Sequence, residues 1–172
     1  MNRRFGLILL TASWALLPGC ASFDGRGLVP GKSTASDIQA LMGEPAERLK
    51  RPSGDAVWFY SRLPEGRAIY AVTIGADGVM RNIEQTLTRA NLAKVALNST
   101  TRSQVRELFG PPFRAVRAAR KPHEVWEYPW REYEEKRILW ISLSDDGVVR
   151  EVIEMHDVES DIPSGFLGPG LP

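Results

Sequence analysis

The sequence predicts an α+β fold built from one helix-and-sheet unit that occurs twice in tandem. Three motifs recur in the same order: a capped amphipathic helix, a Trp-x-Tyr strand and an Asp-Gly turn. They begin at Thr34, Val57 and Asp77 in the first copy, and at Thr101, Val125 and Asp146 in the second. Co-linear repetition of this kind is more specific than any single motif. Each unit is expected to hold a helix, or a helix pair, on a three-stranded antiparallel meander.

The first part of each unit is a short amphipathic helix. Thr34 and Asp37 are placed to form a capping box, and the apolar residues Ile38, Leu41 and Met42 then fall on one helical face. A glycine and a proline end this pattern. The second copy repeats it with the residues Thr101, Gln104, Val105, Leu108, Phe109 and Gly110.

Three strands are expected after each helix. They span residues 57–60, 69–74 and 79–86 in the first unit, and residues 125–128, 138–143 and 148–155 in the second. Because side chains alternate between the two faces of a strand, one face is predicted to pack on the helix. The predicted core consists of Trp58, Tyr60, Tyr70, Val72, Ile74, Trp126, Tyr128, Leu139, Ile141 and Leu143, with Ile38, Leu41, Val105 and Leu108 from the helices.

The composition fits one ordinary globular domain or two small ones, and it excludes several classes of protein. The 172 residues are 43% hydrophobic and 25% charged, as in packed globular chains. A formal net charge of +1 provides no basic field for nucleic acid. One Cys and two His exclude an intramolecular disulfide framework and leave too few ligands for a Cys/His zinc site.

The amino terminus has the parts of a secretory signal. Arg3 and Arg4 precede an apolar stretch, residues 5–17, and small residues follow before Cys20. The stretch is shorter than the roughly 20 residues that a helix needs to cross a bilayer, so no transmembrane span is expected. Residues 1–19 are therefore predicted to be a signal peptide.

Residues 17–20, Leu-Pro-Gly-Cys, resemble a bacterial lipobox, with a proline where a small or hydroxyl residue is more usual. The resemblance implies that Cys20, the sole Cys of the chain, carries lipid, and several acyl chains would anchor the protein stably. Ala21, in place of an Asp, implies the outer membrane and its periplasmic face. The alternative is an ordinary secretory signal whose cleavage leaves an unmodified Cys.

The rest of the chain divides into a tether, two units and a tail. Residues 20–30 are expected to be a tether, 31–88 the first unit, 89–158 the second, and 159–172 a disordered tail rich in Pro and Gly. Leu92, Val95 and Ala96 predict an extra helix at the start of the second unit. Because a unit of about sixty residues is only marginally stable alone, the two are expected to pack together or to share one sheet.

The sheet face turned away from each helix also carries apolar residues. Phe59 and Ile69 fall on that face in the first unit, and Ile138 and Trp140 in the second. Either the two units bury these faces against each other, or the faces bind a partner through aromatic anchors. Two further aromatics are expected in the hairpin of the second unit, so the candidate partner-binding residues are Phe59, Trp130, Tyr133 and Trp140.

No motif for catalysis or cofactor binding is found. His123 and His156 have no Ser or Cys nucleophile paired with them by any known motif, and both are interpreted as surface residues. Asp77, Asp145 and Asp146 fit ordinary Asp-Gly turn chemistry. We therefore expect no catalytic residue, no metal site and no cofactor other than the lipid on Cys20.

The repeated motifs resemble the family of small outer-membrane lipoproteins that includes BamE, SmpA and OmlA. The residues that carry the resemblance are Gly31-Lys32-Ser33-Thr34, Asp37-Ile38, Leu41-Met42-Gly43-Glu44-Pro45, Trp58, Tyr60 and Asp77-Gly78-Val79, with a second match between Asn98 and Val148. The duplication resembles the architecture of the β-lactamase inhibitory protein. Because BamE itself has one unit, the duplication favours a paralogue with another envelope partner.

The resemblance implies a non-enzymatic, lipid-anchored protein that binds other proteins in envelope or outer-membrane protein assembly and maintenance. Its expected partners are outer-membrane lipid, through the anchor, and an envelope protein such as a component of the β-barrel assembly machine. The alternative function is an inhibitor of a periplasmic target, drawn from the tandem architecture. An enzyme acting on such a target is less favoured, because no motif supports it.

Overall fold

The chain forms eight strands and three short helices within the residues that the computed structural model describes, 24–117 and 123–158. The elements are, in order, α1 (Ala35–Met42), β1 (Glu47–Lys50), β2 (Ala56–Ser61), β3 (Ile69–Ile74), β4 (Met80–Gln85), α2 (Arg89–Leu92), α3 (Arg102–Phe109), β5 (Arg114–Arg117), β6 (Glu124–Glu132), β7 (Glu135–Leu143) and β8 (Val149–His156). The expected signal peptide, Cys20, the first residues of the tether and the tail 159–172 lie outside the described residues.

The two capping boxes form as predicted. The Thr34 hydroxyl accepts a hydrogen bond from the backbone N–H of Asp37, and the Asp37 carboxylate accepts one from the N–H of Thr34 at 2.8 Å. That second bond, which favours the charged form, holds the pKa of Asp37 below its usual value. Thr101 and Gln104 make the same reciprocal pair at the start of α3.

The expected α+β class is wrong, because the chain is mostly β. Each unit holds a four-stranded antiparallel sheet instead of a three-stranded meander, in the orders β1-β2-β3-β4 and β5-β6-β7-β8. The additional strands, β1 and β5, lie at one edge of each sheet and have the sequences Glu-Arg-Leu-Lys and Arg-Ala-Val-Arg. Charged side chains are typical of edge strands. In β1 and β5 they interrupt the alternation of apolar and polar residues by which a strand is recognised in a sequence.

The two sheets share their irregularities as well as their strand order. A bulge interrupts the pairing at Thr73 and Ile74 in the first sheet, and at Ser142 and Leu143 in the second. An isolated antiparallel bridge joins each helix cap to the residue before the last strand, Thr34 to Val79 and Thr101 to Val148. Residues at equivalent positions of the two sheets can therefore be compared directly.

Two hydrophobic clusters stack the chain into layers. The smaller cluster joins Ile38 and Met42 of α1 to one face of the first sheet. The larger cluster joins the opposite face of that sheet to Val105 and Phe109 of α3, and α3 in turn to the second sheet. The order of the layers is thus α1, first sheet, α3 with α2, second sheet. Tandem packing of this kind stabilises two units that would be marginal alone.

Most of the predicted core residues are buried, and four are only half-buried. The four are Leu41, Trp58, Tyr70 and Leu108. The main addition to the core is the face of the first sheet that packs on α3. It contains Leu49, Val57, Phe59, Ile69 and Ala71, and we call these five residues the covered face.

Candidate partner-binding surface

The four candidate residues do not form one surface. Phe59 is 0% exposed and Trp130 is 3% exposed. Trp140 is half-buried, and Tyr133 is 91% exposed. Each residue is therefore considered with the element that positions it.

Phe59 is a core residue and not a surface residue. It belongs to the covered face, and the C-terminal end of α3 rests directly on its ring. A Cβ atom at Gly110 would lie 2.6 Å from Cδ1 of Phe59, so only glycine permits this approach. The expectation that Phe59 contacts a partner protein is wrong, because the second unit already covers it.

Trp130 also points into the molecule. Strand β6 runs to Glu132, past the predicted end at Tyr128, and the alternation of inward side chains continues to Trp130. The guanidinium of Arg89 lies 5.0 Å from the Trp130 ring centroid. Trp130 is therefore the last buried residue of β6 and lies on the inner face of the second sheet. It lies four residues after Trp126, so the alternation along the strand would have placed both on the same face.

Tyr133 lies at the tip of the β6–β7 hairpin, where its φ of 53° places the backbone in the left-handed region. Two ion pairs of Arg89 stabilise the hairpin near this tip. Arg89 Nε donates to Glu132 at 2.9 Å, and Arg89 Nη1 donates to Glu154 at 2.6 Å. These bonds raise the pKa of Arg89 and lower that of Glu132. Tyr133 stands alone on the solvent side of this tip.

Trp140 lies on the outer face of the second sheet, the face turned away from α3. It stands opposite Glu127 on β6 and Ile153 on β8, and its Nε1–H donates to the Glu127 carboxylate at 3.0 Å. Besides the buried Pro129, the register places six apolar residues on this face: Val116, Val125, Ile138, Trp140, Ile153 and Met155. We call these six residues the open face, because none of them belongs to either hydrophobic cluster.

The open face and the covered face occupy equivalent positions. In the first sheet Ala71 pairs with Phe59, and in the second sheet Trp140 pairs with Glu127. The same equivalence relates Leu49 to Val116, which is 48% exposed. The second unit covers one face, whereas no described element covers the other. Val116 is exposed and the other five open-face residues are half-buried. Adjacent apolar side chains that stay partly open to solvent are typical of an interaction site.

A cleft of about 500 Å³ lies between the first sheet and helices α2 and α3. Polar side chains line the cleft, and two pairs of them are hydrogen-bonded to each other. Arg51 Nε donates to Glu107 at 3.0 Å, and Lys94 Nζ donates to the side-chain oxygen of Asn91 at 2.8 Å. Because these pairs are internal, the cleft is a polar junction between the units.

The turn carboxylates have the local structure expected of Asp-Gly turns. Asp77 accepts a hydrogen bond from the backbone N–H of Val79, which lowers the pKa of Asp77. Asp146 accepts hydrogen bonds from the Ser144 hydroxyl and from the backbone N–H of Val148, and both lower the pKa of Asp146. Within residues 24–117 and 123–158, no three His, Cys, Asp or Glu side chains are grouped to hold a metal ion. His156 is exposed and His123 is half-buried. No helix in these ranges is long and apolar enough to span a membrane.

Comparisons with known proteins assign no family. No protein-family model and no curated protein matches the chain. A solved DUF4309 family protein, YjgB from Bacillus subtilis, aligns with 76% of this chain and 83% of its own at 19% identity and a TM-score of 0.30. An extracellular SCP-domain protein from Bacillus anthracis aligns with 88% of this chain and 50% of its own, at 10% identity and a TM-score of 0.29. The resemblance to the BamE family thus rests on sequence motifs alone.

Proposed function

We propose that this protein is a lipid-anchored binding module that holds another envelope protein against the open face. The observation that carries the proposal is the difference between the two equivalent sheet faces. The covered face is packed against the second unit, whereas the six apolar residues of the open face lie outside both clusters. A partner that buries this face gains roughly 25 cal/mol for each Å² of apolar surface removed from water.

Trp140 is the natural anchor of such a contact. Tryptophan is enriched among the few residues that dominate interface energies. The hydrogen bond from Trp140 Nε1 to Glu127 holds the indole along the sheet, so little side-chain freedom remains to be lost on binding. The remaining open-face residues surround Trp140 on three strands and supply apolar contact area.

The proposed location, the periplasmic face of the outer membrane, is inferred from the amino-terminal sequence. Lipid on Cys20 would tether the module to the periplasmic face of the outer membrane, and the motif resemblance favours a partner in outer-membrane protein assembly or maintenance. No enzymatic step is included in the proposal. The protein acts, in this account, by binding.

Site-specific photocrosslinking in the native cell tests the proposal. The residue p-benzoylphenylalanine replaces Trp140 in the full-length chain, and membrane fractions are analysed after irradiation. We expect one dominant protein adduct, because the benzophenone keeps a large aromatic group at position 140 and would lie within the contact. The adduct is expected in membranes that hold the intact chain, and a Cys20→Ala chain should be lost from that fraction.

The matched control carries the same photoreactive residue at Trp58. Trp58 is a half-buried tryptophan of the first sheet, with the guanidinium of Arg48 4.8 Å from its ring centroid. It lies on the α1 side, far from the open face in the layer order. An adduct of the same mass from both positions, or no protein adduct from position 140, would refute the proposed function.

A further inference from the structure

The covered face shows how this fold anchors a helix on the outside of its sheet. Besides the apolar contacts, Arg106 of α3 donates through Nε to both carboxylate oxygens of Glu47, at 2.7 and 2.9 Å. Glu47 lies on the edge strand β1 and is largely buried, with a side chain that is 15% exposed. The hydrogen bonds to Glu47 raise the pKa of Arg106. Because both partners are charged, these hydrogen bonds are stronger than those between neutral groups.

The open face carries the opposite charge at the position of Glu47. Glu47 pairs with Phe59 across the strands, and Arg114 of β5 pairs with Glu127 in the same way. Arg114 is exposed, and no carboxylate of the described residues forms an ion pair with it. Its guanidinium stacks instead at 5.3 Å from the ring centroid of Phe113. A helix laid here as α3 lies on the first sheet would meet the cation of Arg114 where α3 meets Glu47, with Glu127 at the position of Phe59.

The open face is also wider than the covered face. Glu84 of β4, opposite Ala71, is replaced at the equivalent position of β8 by Ile153, opposite Trp140. The apolar strip therefore extends across all four strands of the second sheet. An occupant that matches it needs a broad apolar stripe, which an amphipathic helix provides.

We infer that the occupant of the open face is an amphipathic helix of another protein that presents an Asp or Glu carboxylate to Arg114. The inference rests on the proposed function and names the chemistry of its partner. A helix is favoured over a strand because a strand pairs with a sheet edge through its backbone, whereas a sheet face is covered by side chains. The carboxylate follows from charge complementarity, which selects partners and fixes their register.

A second copy of this chain is a poorer fit to the open face. Its most similar element is α1, which carries Gln39 where α3 carries Arg106, and Ala40 where α3 carries Glu107. The Gln39 amide already donates to Glu44. The helical turns of α1 therefore present no carboxylate at the required position.

The test combines Arg114 variants with the photoreactive residue at position 140 of the full-length chain. Arg114→Glu is expected to lower the yield of the partner adduct about tenfold, because the carboxylate then repels the acid of the helix. Arg114→Lys should retain most of the yield, since the charge is kept. Arg114→Gln removes the positive charge without adding a negative one beside Glu127, and its adduct yield should lie between those of the other two variants. It replaces Arg114→Glu in the test if that variant destabilises β5. Higher salt should lower the yield of the unaltered chain.

Arg48→Glu is the matched control, because it makes the same charge change at an exposed position of the first sheet. The adduct yield should not respond to it. The peptide crosslinked to position 140 is then identified by mass spectrometry and is expected to be an amphipathic, acidic helix of another protein. A peptide from this chain, a strand or a basic segment would overturn the inference, as would an unchanged yield with Arg114→Glu and Arg114→Gln. If a partner adduct forms but its yield does not change in the Arg114 variants, the inference is refuted and the proposed function is retained. If no adduct forms at all, both the inference and the proposed function are refuted.

Discussion

Phe59→Ala is expected to lower the free energy of unfolding by about 3 to 5 kcal/mol. Phe59 is fully buried between the first sheet and the end of α3. Its removal leaves a cavity in the layer that joins the two units, and the rigid strands on either side limit collapse. The loss should therefore resemble that of a core phenylalanine and not that of a surface residue.

Urea unfolding followed by circular dichroism measures this effect, with Phe113→Ala as the control. Phe113 is 38% exposed and lies before β5, so its truncation should cost less than about 1.5 kcal/mol. If Phe59→Ala cost no more than Phe113→Ala, the covered face would not be core. The layer order described above would then be incorrect.

Arg67→Ala is expected to destabilise the protein by a similar amount, about 3 to 5 kcal/mol. Arg67 and Asp157 form an ion pair whose side chains are 6% and 9% exposed, and Arg67 Nη1 also donates to the carbonyl of Arg137 at 3.2 Å. The pair joins the hairpin of the first unit to the end of β8. Removing the guanidinium takes one buried cation away from the Asp157 carboxylate and breaks two contacts between the units.

Arg117→Ala is the appropriate control for Arg67→Ala. Arg117 pairs with Asp145 at 2.6 Å, but both side chains are more than half exposed, and such pairs contribute about 0 to 1 kcal/mol. Equal losses for the two variants in thermal or urea unfolding would mean that the Arg67–Asp157 pair does not link the units. A much larger loss for Arg67→Ala is the expected result.

The sequence was sufficient for the local structure and insufficient for the edges of the sheets. Both capping boxes are set by residues three apart, which interact within one helical turn. Strands β1 and β5 escaped prediction because each has only four residues, and a single Leu or Val among charged and small residues forms no apolar pattern. Their pairing depends on the neighbouring strands β2 and β6, which is a tertiary effect.

Among the candidate residues, too, local pattern could be predicted from the sequence and tertiary packing could not. Trp130 could have been assigned to the inner face by continuing the alternation of β6 past Pro129. Phe59 and Trp140 could not have been separated, because both fall on the outward faces of the two equivalent sheets. Only the packing of the second unit on the first distinguishes them. That packing covers one repeated face and leaves the next one uncovered, as at the end of any short stack of repeats.

The stability and partner affinity of Trp140→Ala, measured beside Trp58→Ala, most directly test the claim that the open face binds a partner. The protein recovered by crosslinking from position 140 serves as the ligand. We predict that Trp140→Ala weakens binding by about 2 kcal/mol or more and lowers the free energy of unfolding by less than the 3 to 5 kcal/mol typical of a core tryptophan. Trp58→Ala should leave the affinity unchanged. Unchanged affinity for Trp140→Ala, together with a core-sized loss of stability, would contradict the account.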